Sequence, residues 1–168
     1  MKVFDAGYLN ALIDEAKSNS RLRQHRNVHE SYDDPSQCLL NAIEPHSYIR
    51  PHRHASDPKE ERLFALRGSM ALVLFDDAGN VTDVVNFGTE RYGRNLALGA
   101  SVSSHQWHTV IALEEGAVLL EVKAGPFDPA QPKDLASWAP GEGTDMANDY
   151  LKHLHELVLD KKKVRFIT

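Results

Sequence analysis

Residues 51–68 read PHRHASDPKEERLFALRG: two histidines at i and i+2, a polar loop, then a carboxylate opening an apolar run. On an extended strand, side chains at i and i+2 project to one face, so His52 and His54 aim together. Paired imidazoles with a carboxylate suit a divalent first-row metal that keeps coordination positions open. Two surface histidines on an edge strand, with Glu60 and Glu61 as ordinary surface charge, would look the same in isolation. A second segment, SVSSHQWHTVIAL from residue 101, offers His108 at the start of another apolar strand. In a rolled antiparallel sheet the two segments become neighbours, and a third imidazole joins the set.

The strands continue on both sides of this stretch. QCLLNAI, SYIRPHRH, RLFALR, SMALVLF, VTDVVNF, NLAL, WHTVIAL and AVLLEVK follow one another with turn signals between them, such as Glu44-Pro45, Gly68 and DDAGN at 76–80. Many short strands at close spacing indicate a β-sandwich or barrel, and a jelly roll fits best. No helical segment separates them, which excludes a parallel α/β fold. Period two puts Glu61, Leu63 and Ala65 on one face, and His108, Val110 and Ala112 on one face. A metal near one end of the barrel, above aliphatic side chains, follows from that alternation. Arg50 shares the parity of His52 and His54, Arg67 that of Glu61; Arg50 stands nearer the ligands and is the better placed to reach a pocket. Trp107 has the opposite parity to His108 and should pack outside.

The stretches flanking the strands are of a different kind. Residues 1–20 suit an amphipathic helix capped by Asp5, with Leu9, Leu12, Ile13 and Ala16 as its apolar stripe. Residues 21–36 begin RLRQHRNVHESYDD and concentrate Arg21, Arg23, His25, Arg26 and His29. Two readings stand open: a solvated loop wrapping the barrel, or an arm over the metal pocket in which Arg23, Arg26 and His29 hold an anionic substrate. The barrel is expected over 37–124 and a Pro-rich extended loop over 125–143. A helix capped by Thr144 should follow over 144–160, with Ala147, Tyr150, Leu151, Leu154 and Val158 inward. All of this fits one domain.

Composition narrows the function. The 168 residues carry a formal charge of −5, which argues against a nucleic-acid partner. No apolar run reaches membrane-spanning length and the start does not read as a signal peptide, so a soluble cytoplasmic protein is expected. The one cysteine, Cys38, has no internal partner and reads as a small buried hydrophobe.

The residues around the histidines resemble the cupin family. The first cupin motif runs His-x-His, a short loop, Glu, six residues, Gly; the six residues between Glu61 and Gly68 match it and select Glu61 over Glu60. The second motif, Pro-x-Gly-x-x-His, lands on Ser103, His105 and His108, matching only at the histidine. The resemblance implies His52, His54, Glu61 and His108 as metal ligands in a double-stranded β-helix. The loop before Glu61 is longer than the motif's, and His46 and His105 stand where the motifs carry glycine. The segments RLRQHRNVHES, PHSYIRPHRH, LRGSMALVLFDDAGNV and WAPGEG are further similar to the WbuC-like cupins found with bacterial surface-polysaccharide genes. That likeness points to a sugar or sugar nucleotide as substrate, and small cupins of this kind imply a homodimer.

Three functions are compatible with these residues. One is a metalloenzyme, an isomerase or epimerase or an oxygenase, with His46 or His105 moving protons. The others are a metal-dependent sugar or anion binding module, and a scaffold whose metal only stabilises the barrel. Three imidazoles and a carboxylate accept Zn, Fe, Mn, Ni, Co or Cu.

Overall fold

A computed structural model describes residues 1–89, 96–130 and 133–164, with side chains up to 160. Helix α1 (Ala6–Ser18) precedes β1 (Arg23–Asn27), β2 (Ser36–Ile43), β3 (His52–Arg53), β4 (Glu61–Arg67), β5 (Ser69–Phe75) and β6 (Val81–Gly88). Then come β7 (Gly99–Val102), β8 (Trp107–Ala112), β9 (Ala117–Ala124), β10 (Asp134–Leu135) and α2 (Asp145–Val164). The strands form two antiparallel five-stranded sheets, ordered β1-β2-β9-β4-β7 and β10-β3-β8-β5-β6. This is the expected jelly roll with flanking helices. No helix among the described residues is long and apolar enough to cross a membrane.

Alternation explains which residues fill the barrel. Ile43, Leu63, Met70, Leu72, Phe87, Val110 and Leu119 are buried between the sheets. The chain passes from one sheet to the other at Gly68, whose φ is +76° and whose added Cβ would sit 3.0 Å from Ala117. Only glycine takes both constraints without strain.

Each helix covers an outer sheet face. The Asp5 side chain accepts from the Tyr8 N–H at 2.9 Å and caps α1, which lays Leu12, Ile13 and Ala16 on Leu40, Ala42 and Val118. Thr144 Oγ1 accepts from the Ala147 N–H at 3.2 Å at the start of α2. Ala147, Leu151, Leu154 and Val158 then cover Val73, Phe75 and Ile111. Each fully buried leucine here stabilises the fold by about 1.5–3 kcal/mol. Trp107 packs outside as expected, its ring 6.2 Å from Trp138 and 4.3 Å below the Arg53 guanidinium.

Two flanking segments differ from a plain loop. Residues 23–27 are a strand, β1, paired along its length with β2 (Arg23↔Ile43 to Asn27↔Leu39). Its side chains alternate, with Arg23, His25 and Asn27 facing the barrel interior. The Pro-rich stretch contributes β10, which pairs Leu135 with His52 and Asp134 with Arg53. Arg50 and Pro51 fix the chain beyond it: the Arg50 guanidinium donates to Ala136 O at 2.6 and 3.0 Å, and the Ala136 N–H to Pro51 O at 2.9 Å.

Candidate metal centre

The strand register brings the four candidate ligands together. His52 on β3 lies directly opposite His108 on β8. His54 continues from β3, its N–H bonded to Ser104 O at 2.7 Å. Glu61 opens β4 in the other sheet, between Val102 of β7 and Lys123 of β9. One ligand atom from each of the four side chains falls within 4.8 Å of all the others. His108 and Glu61 are 2% and 3% exposed, too little for water to solvate a carboxylate.

Their hydrogen bonds fix the chemistry of the set. His52 Nδ1 lies 3.0 Å from Arg50 O, and His108 Nδ1 lies 2.9 Å from Gln106 O. A carbonyl oxygen only accepts, so both Nδ1 atoms carry hydrogen and both Nε2 atoms present a lone pair. His54 Nε2 lies 2.8 Å from Glu61 Oε1, and His108 Nε2 lies 3.3 Å from Glu61 Oε2. Imidazole nitrogens and the Glu61 carboxylate thus come together at one buried place. Three imidazoles with one carboxylate, their ligand atoms this close together, are a donor set for a divalent transition metal. The residues fit the group.

The electrostatics agree. Burial holds the His52 imidazolium far below its ordinary range, with the Lys133 charge and the neighbouring His108 adding to it. Burial alone would raise Glu61, but its contacts with His108 and His54 and the Lys123 charge outweigh it and keep the carboxylate ionised. A neutral His52 and an ionised Glu61 are the ligating forms of these two groups.

The set lies in the wall of a cavity of about 420 Å3 between the sheets. Leu63, Val110 and Leu119 supply apolar lining, while His25, Asn27 and Asn41 supply a polar wall. Tyr32 and Phe127 stand edge to face at 5.1 Å and also line it. Arg21 and Lys133, both exposed, bring positive charge to the same cavity. Two titratable residues of β9, Glu121 and Lys123, complete the lining. Lys123 Nζ lies 3.2 Å from Glu61 Oε1 and 3.4 Å from Glu121 Oε1. Burial and the neighbouring Glu61 charge push Glu121 up to about 8.

The other candidates from the sequence fall in different places. His29 lines the cavity, with Nδ1 at 3.0 Å from Cys38 N. Arg23 borders the cavity too, but its donors are spent inside the protein: on Glu142 Oε2 at 2.6 Å and on Tyr48 O at 2.7 Å. Arg26 has the opposite parity on β1 and lies outside, 2.6 Å from Glu15 Oε1 on α1 and over the Tyr8 ring. Arg50 anchors the Pro-rich segment and does not line the cavity. His46 and His105 are exposed and line no part of it either. The turns that motif glycines usually occupy put these side chains in solvent, away from the ligands. Arg67, beyond a register shift in β4, bonds Asn10.

Sequence reasoning passed over Lys123, Glu121 and Lys133. The signal for the first two was their parity: in AVLLEVKA they alternate with Leu119, which faces inward.

The fold is a two-sheet jelly roll of the cupin type, with three imidazoles and a carboxylate gathered inside one end as a candidate metal-ligand set. Residues 4–87, half of the chain, match the family described as a domain of unknown function, DUF6016, and the chain belongs to that family. No curated protein matches it. Among solved structures it is similar to protein SO0799 from Shewanella oneidensis, at 13% identity and a TM-score of 0.52 over 66% of this chain and 72% of that one. It is also similar to TT1209 from Thermus thermophilus, at 19% identity and a TM-score of 0.50 over 74% and 98% of the two chains. Oxalate decarboxylase from Bacillus subtilis is similar at 20% identity and a TM-score of 0.49, over 67% of this chain and 27% of its own. At these identities the likeness is one of fold.

Proposed function

We propose that this protein is a mononuclear metalloenzyme of the cupin type that takes a small anionic substrate, a sugar acid, sugar phosphate or sugar nucleotide, into the barrel. The observation that carries the reading is the placement of the ligand set in the wall of an open cavity that also carries Arg21, His25 and Lys133, in a chain of net charge −5. A purely structural metal site is closed by four protein ligands with no room beside them; here the ligands border about 420 Å3.

His52, His54, Glu61 and His108 would hold one divalent metal, which supplies Lewis acidity for a bound carbonyl or hydroxyl. The protein's own groups divide the remaining work. Arg21 and Lys133 attract the anion, and charge-assisted bonds from them are the strong contacts available at the cavity. Leu63, Val110 and Leu119 exclude water beside the reacting end. The edge-to-face pair Tyr32 and Phe127 offers a ring face to the less polar side of a sugar. The resemblance of residues 21–31 to WbuC-like cupins supports a sugar as the carrier of the anionic group.

The test is calorimetric titration of the metal-loaded protein with gluconate, glucose 6-phosphate and UDP-glucose, with glucose as the neutral control. At least one charged sugar should bind more tightly than glucose. Lys133→Ala or Arg21→Ala should then weaken it by roughly ten- to a hundredfold, the worth of a charge-assisted bond. Arg26→Ala should leave it unchanged, because that side chain is occupied by Glu15 on the far side of β1. Equal affinity for glucose and all three anions contradicts the proposal. Proton NMR of the bound sugar over time separates an enzyme, which converts it, from a binding module, which returns it unchanged.

A further inference from the structure

Glu61 is the one anionic ligand of the candidate set, and its two oxygens are in different surroundings. Oε1 faces Lys123 Nζ at 3.2 Å and His54 Nε2 at 2.8 Å; Oε2 faces His108 Nε2 at 3.3 Å. Lys123 is no mobile surface residue. It is the direct cross-strand partner of Glu61, its side chain is 12% exposed, and its ammonium also bonds Glu121 and lies 5.4 Å from the centre of the Phe127 ring.

A buried ammonium is costly to desolvate and is kept only when paired; here its partners are Glu61 and Glu121. In a barrel of this kind the inward positions of β9 are otherwise filled by Ala117 and Leu119. Methionine or leucine at position 123 would continue that lining at no desolvation cost.

Resting on the metal-binding reading above, we propose that Lys123 is a positioning residue: its ammonium holds Oε1 of Glu61, so the carboxylate meets the metal through Oε2 alone. A carboxylate bound through one oxygen, with three imidazoles, fills four positions and leaves two of an octahedral ion for substrate. A carboxylate free to turn would chelate with both oxygens and leave one. Lys123 therefore sets how many substrate atoms the metal accepts. A ligand that chelates through two adjacent oxygens, such as a 2-hydroxy or 2-oxo acid, is the class this arrangement admits.

The experiment loads the full chain with Mn(II) and counts metal-bound water by proton relaxation dispersion. Water is neutral, so the count is insensitive to the lost charge. The wild type should hold two exchanging waters, Lys123→Met one, and Lys123→Arg two, since a guanidinium can still hold Oε1. Loss of Mn(II) from Lys123→Met but not from Lys123→Arg also supports the ammonium's role. Two waters in all three proteins, or loss of metal from both variants with circular dichroism unchanged, overturns it. A wild type that takes up no Mn(II), Co(II) or Zn(II) instead overturns the metal reading itself.

Discussion

Replacing Arg23 by Met tests whether this residue serves the fold or the substrate. The side chain is 11% exposed and ties three separate parts of the chain together: β1, the 47–48 segment and the turn before α2. Its partners are Tyr48 O at 2.7 Å, Ser47 Oγ at 3.4 Å and Glu142 Oε2 at 2.6 Å. Breaking a fully buried ion pair from one side costs about 3–5 kcal/mol. Glu142 is 31% exposed and regains some water, so about 2–4 kcal/mol is expected here. For a chain of this length that is a fall in Tm of roughly 5–12 °C.

The pH dependence carries a sign that can be checked. Burial would raise Glu142, but the hydrogen bond and charge of Arg23 win and hold it below its ordinary 4.5. A carboxylate depressed in the folded state contributes stability above the unfolded pKa and loses it as pH falls through the folded one. The gap between wild type and Arg23→Met should therefore be widest near neutrality and narrow below about pH 4.5. Thermal unfolding of Arg23→Met, Glu142→Gln and the double variant gives the coupling, expected above about 1 kcal/mol. If Arg23→Met melts within 2 °C of wild type yet loses anion binding, the guanidinium belongs to the substrate and the reasoning fails.

Two predictions concern surfaces rather than charges. We expect a homodimer: Phe64, Leu66 and Leu98 are exposed beside the edge strand β7, and light scattering at micromolar concentration should give about twice 18.8 kDa, with a clean monomer rejecting it. Leu154→Ala should lower stability by about 2–5 kcal/mol in chemical denaturation, since this residue is 2% exposed between α2 and its sheet; a loss under 1 kcal/mol would mean that α2 docks loosely.

How much of this was legible in the sequence follows from where polarity and burial agree. Leu63, Leu72, Val110 and Leu119 alternate in strands whose inner faces meet apolar side chains, so period two finds them. His52, His54 and His108 are polar at inward positions of such strands, which is what exposed the site. Strand β1 was missed because its inner face meets the cavity rather than the core. Arg23, His25 and Asn27 alternate with Gln24 and Arg26, polar against polar, and hydrophobicity gives no contrast. Without the strand's parity, Arg23 and Arg26 looked equivalent, although one points in and the other out. Lys123 and Glu121 were passed over at the end of an apolar strand, where charges usually mark the exit to solvent. Which residues stand across from them, and so that Lys123 faces Glu61, depends on pairing over 62 residues. His46 and His105 show the reverse error: closeness in sequence to the ligands did not place them in the cavity.

The central claim is that four named side chains hold one metal, and metal stoichiometry tests it most directly. Purified protein is stripped with a chelator, reloaded separately with Mn(II), Co(II) and Zn(II), desalted and assayed by elemental analysis beside His52→Ala, His108→Ala and His105→Ala. The account predicts one equivalent in wild type and His105→Ala with at least one of these ions. In His52→Ala and His108→Ala it predicts a fall of tenfold or more in metal affinity, with circular dichroism unchanged because the core strands remain. Full occupancy in His52→Ala and His108→Ala at wild-type affinity would contradict it.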